Sequence, residues 1–172
     1  TLDLYCRMRE EGRENVGLVL QAYLRRTPDD VRRLAPYGAD VRLCKGAYQE
    51  PPTVAFQRMA DVRRAMLELS RSMLQGRFTL RLATHDAALI GDLRRMLEEL
   101  GQRPADVEFQ MLLGVGRSLQ RQMTDEGYPM RIYVPYGREW YAYFARRLAE
   151  RPENLRFVAR HTEAKSELSL HI

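Results

Sequence analysis

Five short apolar runs, each followed by a helix-like stretch, recur along the 172 residues and decide what the chain can fold into. They read VGLVLQAY (16–23), ADVRLCKGAY (39–48), RFTLRLATHD (77–86), VEFQMLLGVG (107–116) and MRIYVPYG (130–137). Runs of this length, rich in β-branched residues and closed by turn signals, suit buried strands. Between them lie helical patterns. TLDLYCRMREEG (1–12) places Leu4 and Met8 on one face, with Gly12 near its end. TPDDVRRLAPYG (27–38) offers Thr27 as N-cap, Pro28 at the first helical position and two acids in the first turn. A long helix is expected over about 53–75, where Met59, Val62, Met66, Leu69 and Met73 recur at three- and four-residue steps, a core stripe rather than a ligand site. AALIGDLRRMLEELG (87–101) ends in Gly101, RSLQRQMTDEG (117–127) follows, and REWYAYFARRLAERP (138–152) is stopped by Pro152. The tail HTEAKSELSLHI (161–172) shows no period and is expected to be mobile. Strands alternating with helices predict an α/β fold around a parallel sheet, and the unequal spacing excludes a short solenoid repeat.

In a parallel α/β sheet, ligands sit outside the C-terminal ends of the strands. Polar groups stand at that end of every run: Gln21; Arg42 with Lys45 and Gly46; Thr84, His85 and Asp86; Gln110; and Tyr133 before Pro135. Helix capping accounts for Thr84 and Asp86. It does not account for Gln21 or Arg42, which lie within apolar runs.

Only two of the 28 basic residues are lysine, Lys45 and Lys165. Lys45 follows a strand and precedes Gly-Ala-Tyr, where a compact ammonium and a glycine-bearing backbone can approach an anion; a plain turn in an arginine-biased chain explains the same residues. The net charge of +5 and the isoelectric point near 9.5 permit contact with anionic ligands or lipid. Arginines interleaved with acids form no basic stripe, which argues against a nucleic-acid binder. Cys6 and Cys44 lack CxxC spacing, and the three histidines lack metal-ligand spacing, so neither a disulfide framework nor a metal site is expected, and a reducing, cytoplasmic setting is the default. No apolar run approaches the roughly 18 residues of a membrane span. Thr1 stands inside a helical pattern, so further chain is expected upstream.

The segment 138–152 carries a second candidate site. At 100° per residue Trp140, Phe144 and Leu148 share one face, and Tyr143, Arg146, Arg147 and Glu150 lie on the adjoining one. Two guanidinium groups with an acid one turn on can clamp a carboxylate; a solvated Arg–Glu face is the alternative.

Taken in order, VLQAY, VRLCKGAY, LATHD, EFQMLLG, RIYVPYG and YFARRLAE resemble the flavin-dependent proline dehydrogenases over residues 1–158. The resemblance implies a (β/α)8 TIM-type barrel, incomplete here, with about strands 4–8 and their helices. Residues 1–160 would form the C-terminal part of that barrel and 161–172 the tail. It also implies non-covalent FAD, oxidation of L-proline to Δ1-pyrroline-5-carboxylate and electron transfer to a membrane quinone. A cytoplasmic enzyme touching the inner face of the cell membrane peripherally is the corresponding expectation; oligomeric state is left open.

Motif by motif, the resemblance places Arg42 beside the flavin N5 as the catalytic residue and Gln21 at the isoalloxazine edge. Lys45, Gly46 and Ala47 fall on the FAD chain; Thr84 and His85, with Asp86 beside them, on its phosphate and ribityl region; and Gln110 and Leu112 on the flavin site. Tyr48 and Tyr143 wall the proline pocket, Arg146 and Arg147 hold the carboxylate, and Glu150 orients them. Proline must lose its amine proton before hydride leaves easily, so the rate is expected to rise with pH. Cys44 replaces the family's usual valine, a tolerable small-apolar exchange. The early strands that carry an aspartate and a lysine in the family have no match here. Two other readings remain open: an inactive half-barrel that binds phosphate compounds, and a different phosphate-binding barrel enzyme.

Overall fold

The computed structural model describes residues 1–138. Helix α1 (Leu2–Glu10) leads into strand β1 (Gly17–Gln21), and the pattern continues with α2 (Thr27–Leu34), β2 (Asp40–Cys44), α3 (Met59–Gln75), β3 (Thr79–Ala83), α4 (Ala87–Glu99), β4 (Glu108–Leu112), α5 (Arg117–Asp125) and β5 (Met130–Tyr133). All five expected strands form. They pair in parallel in the order β1-β2-β3-β4-β5. A doubly wound sheet reverses its strand order at a switch point; strictly sequential order belongs to a barrel wall.

The period-two alternation of the strands splits the sheet into two faces. Leu18, Leu20, Val41, Leu43, Leu80, Leu82, Phe109 and Met111 point one way and are buried. They meet Leu34 of α2, the stripe Val62, Met66, Leu69 and Met73 of α3, and Leu89, Ile90, Leu93 and Leu97 of α4. Each such side chain contributes about 1.5–3 kcal/mol on full burial, so this face carries the stability. The other face is polar from strand to strand, and Val19 on it is half exposed.

Four local expectations are corrected. The first strand is shorter than 16–23: it ends at Gln21, after which the Ala22 and Tyr23 N–H groups donate to the Cys44 and Lys45 carbonyls. In α1, Tyr5 and Cys6 are the buried residues while Leu4 is exposed, since Tyr5 packs edge-on against Tyr37, with ring centres 6.4 Å apart. Thr27 does not cap α2: its hydroxyl donates to the Gln21 carbonyl at 2.7 Å, and Arg26 before it already has helical dihedrals. Finally, α3 begins at Met59 rather than near 53. Residues 54–56 are used in an antiparallel bridge, with Arg25 N–H donating to the Val54 carbonyl (3.0 Å) and Phe56 N–H to the Tyr23 carbonyl (2.8 Å). That bridge ties the loop after β2 to the loop after β1. It is reinforced by Arg25, whose guanidinium lies 4.7 Å from the centre of the Phe56 ring.

The bridge also fixes the glycine of the KGAY turn. Gly46 has φ +106°, and a Cβ there would stand 2.2 Å from the Tyr23 ring. Tyr23 itself is buried with Ala55 and Val62 in a small second core. A glycine is therefore required by packing and backbone alike.

Candidate active site

The polar face of the sheet is one connected network. Arg81, at the centre of β3, donates to both Asp40 oxygens at 2.6 Å and to Glu108 Oε2 at 2.9 Å. Arg131 of β5 donates to the two Glu108 oxygens at 2.8 Å each. The Gln110 amide nitrogen donates to Glu108 Oε1 at 2.7 Å, and the amide oxygen accepts from Arg42 Nε at 2.8 Å. The strand register makes this possible. Arg42, Arg81 and Glu108 are in-register neighbours on β2, β3 and β4, and Ala83 stands between Cys44 and Gln110 one pleat higher. Strands lie about 4.8 Å apart, so Arg42 reaches Gln110 across β3, diagonally from the level of Arg81 to that of Ala83.

Electrostatics follow from the pairing. Arg131, Gln110 and Arg81 hold the Glu108 carboxyl at about 2 although burial pushes it up. The Asp40 and Glu108 carboxylates raise Arg81 further above its ordinary value. Arg42 has a neutral amide as partner, and among the described residues nothing takes its two terminal amino groups. Among the described residues of this face, it is thus the arginine whose charge no carboxylate offsets.

One layer higher lies a second cluster. Asp86 caps α4 by accepting from Leu89 N–H at 3.3 Å, and its side chain is 8 % exposed. Arg63 of α3 donates to both its oxygens (2.8 and 3.1 Å) and Lys45 to one (3.2 Å). Burial works to raise the Asp86 carboxyl, yet Arg63 and Lys45 together bring it below its usual value. Two cations share one carboxylate at the N-terminus of a helix, so the cluster keeps a positive excess. Thr84 is buried, and its hydroxyl accepts from Asp86 N–H at 3.2 Å, closing the turn. His85 Nε2 accepts from Leu112 N–H at 2.8 Å, which puts the proton of the neutral ring on Nδ1. That bond also joins the ends of β3 and β4.

Of the residues singled out in the sequence, Gln21 and Leu112 end β1 and β4, and Lys45, Gly46, Ala47, Thr84, His85 and Asp86 lie in the loops after β2 and β3, whereas Arg42 and Gln110 are the middle residues of β2 and β4 rather than strand-end residues. Tyr48, in the loop after β2, is exposed. Tyr143, Arg146, Arg147 and Glu150 lie outside the described residues, as does the 161–172 tail. The sequence reading missed Asp40, Arg81, Glu108 and Arg131. Their signal is the alternation in DVRLC, TLRLA, EFQML and MRIY, which puts every second residue on one face. Arg63 gives no such sign, because only the folded chain brings it to Asp86.

The family model for proline dehydrogenase matches residues 1–160. The chain belongs to the proline dehydrogenase family. It is 46% identical over 149 residues to the proline dehydrogenase of Deinococcus radiodurans, covering 87% of this chain and 48% of that one. Proline dehydrogenase 2 of Bacillus subtilis is 43% identical over 159 residues, covering 92% and 52%. The chain thus spans about half the length of these proline dehydrogenases. Among solved structures it superimposes on the proline utilization A protein of Bdellovibrio bacteriovorus with a TM-score of 0.78 at 27% identity, over 86% of this chain and 18% of that one. With these proline dehydrogenase relatives, the sequential parallel sheet is part of a TIM-type barrel, and its polar face is the barrel interior. Barrel interiors are usually filled by branched apolar side chains; here the middle layer of the barrel wall is an ion network instead.

Proposed function

We propose that the protein of which this chain is part oxidises L-proline to Δ1-pyrroline-5-carboxylate with FAD as cofactor and passes the electrons to a membrane quinone. The observation that carries this reading is Arg42. In a chain of the proline dehydrogenase family, a barrel-interior arginine is held through Nε by Gln110 while no described residue takes its terminal amino groups. The residues present fit a flavin with an anionic tail. Arg42 and Gln110 offer an oriented cation and amide for the electron-rich ring edge, with Gln21 on β1 at the same end of the sheet. Lys45 and Arg63, sharing one carboxylate beside the α4 N-terminus, leave positive charge for a pyrophosphate. Ala47, Thr84, His85 and Leu112 would complete that side of the cradle.

Bound FAD would supply the two-electron acceptor for the hydride of the proline C5–H. The chain's own residues do the rest. Arg146 and Arg147, oriented by Glu150, would hold the proline carboxylate, and Tyr48 and Tyr143 would wall the ring. Such anchoring replaces a bimolecular encounter by a fixed geometry, a large share of the barrier. A cytoplasmic location at the inner membrane face suits the quinone acceptor, and the net charge of +5 suits an anionic leaflet. The test is to purify the full-length protein, measure retained flavin and assay proline-dependent reduction of a soluble quinone analogue. Flavin with turnover supports the reading; ligand binding without turnover would instead mark an inactive barrel.

A further inference from the structure

The position of Glu108 makes it more than a packing residue. Its two oxygens accept four hydrogen bonds, from Arg81, twice from Arg131 and from the Gln110 amide. An ionised carboxylate accepts and never donates. It therefore admits one orientation of the Gln110 amide, NH2 towards Glu108. The amide oxygen is then turned to Arg42, whose Nε–H can only donate. The order Glu108–Gln110–Arg42 is a relay of fixed polarity, and each member constrains the next.

We propose that Glu108 is a positioning residue: it fixes the Gln110 amide and, through it, the direction in which Arg42 presents its terminal amino groups to the barrel interior. Its bearing on catalysis rests on the reading that Arg42 faces a flavin; its bearing on Arg42 does not. Arg81 and Arg131 are the clamps that keep the carboxylate ionised and in place. Replacing Glu108 by glutamine keeps the shape but gives the site an amide that donates as well as accepts. The Gln110 amide then populates both orientations, and the flipped one sets NH2 against Arg42 Nε–H.

The experiment compares the full-length protein with its Glu108→Gln, Gln110→Met and doubly substituted forms. The first readout, in flavin-free protein, is solvent exchange of the Arg42 Nε–H by NMR, with the Arg81 Nε–H, held by Asp40, as internal reference. The expected result is at least about ten-fold faster exchange at Arg42 in Glu108→Gln with Arg81 little changed, and no further effect of Glu108→Gln once Gln110 is methionine, as contact-mediated coupling requires. Unchanged exchange at Arg42, or equal acceleration at Arg42 and Arg81, overturns the proposal. The second readout is the visible spectrum and midpoint potential of bound flavin, together with kcat and KM for proline. A shifted spectrum and potential and a lower kcat at unchanged KM are expected. If the Arg42 signal moves and the flavin signals do not, the positioning role stands and the flavin reading fails. Should Glu108→Gln be insoluble, Glu108→Asp draws the carboxylate back by one methylene and is judged by the same signals.

Discussion

Arg42 and Arg81 stand directly opposite one another in the β2–β3 register, and their environments are opposite in kind. Like charges in this position repel. Arg81 is compensated by two carboxylates, Asp40 and Glu108, whereas Arg42 turns one pleat upward to the neutral Gln110. The sheet neutralises one arginine and holds the other in reserve. The distribution of charge on the barrel face follows from that difference.

Removing the compensated arginine should be the more damaging for the fold. Arg81→Met leaves Asp40 and Glu108 facing each other without their shared cation, at sites 34% and 18% exposed. Breaking buried pairs costs about 3–5 kcal/mol, and partial exposure brings the expectation here to about 2–3 kcal/mol. Denaturant unfolding of the full-length protein measures it. Arg42→Met, which strands no carboxylate among the described residues, is expected to cost less than about 1 kcal/mol.

Ala83 is the register neighbour of Gln110 on the strand that the Arg42–Gln110 bond spans. Ala83→Leu should keep the strand, whose neighbours Leu80 and Leu82 face the helices, while obstructing that bond. The expected result is a loss of flavin affinity of about ten-fold, or 1.4 kcal/mol, measured by fluorescence titration of the apoprotein with FAD. Unaltered affinity would show that the bond does not organise the site.

Acid sensitivity has a defined source. Glu108 is held at about 2 against an ordinary 4.5. A depressed carboxyl stabilises the fold fully above its unfolded value, and that contribution is lost as pH falls through its folded one. Stability should therefore decline between about pH 4.5 and 2 by an amount that Glu108→Gln abolishes. Urea midpoints across that range for both proteins give the comparison. Asp86, lowered by Arg63 and Lys45 against burial, contributes with the same sign.

Gly46→Ala tests the turn that carries Lys45. A methyl group 2.2 Å from the Tyr23 ring, at φ +106°, cannot be placed without moving a buried residue. The combined clash and backbone strain are expected to cost about 3 kcal/mol, read as a lower thermal midpoint. Adding Tyr23→Leu should recover part of the loss, the steric share, and leave the φ share in place.

The strands and their order were legible because each apolar run announces itself locally, and the helix-facing half of the alternation carries the burial. The candidate residues Gln21, Arg42 and Gln110 were legible because polar groups in apolar strands are out of place, and His85 because it closely follows one such strand. The start of α3 was not: the Pro51–Phe56 segment has helical company, but its hydrogen bonds go to Tyr23 and Arg25, residues remote in sequence. The same holds for Asp86, whose role as a cap is local and whose partner Arg63 is not. Glu108 was hidden differently. An acid beside Phe and Gln reads as solvent-facing until the register brings Arg81 and Arg131 to either side of it.

The most direct measurement is anaerobic mixing of the purified full-length protein with L-proline, watching the visible absorption of its flavin. Bleaching by L-proline, slowed at least about a hundred-fold (2.7 kcal/mol) in Arg42→Met, is the outcome expected if Arg42 directs the hydride acceptor. A protein that carries no flavin, or whose flavin stays oxidised with L-proline, would contradict the assignment.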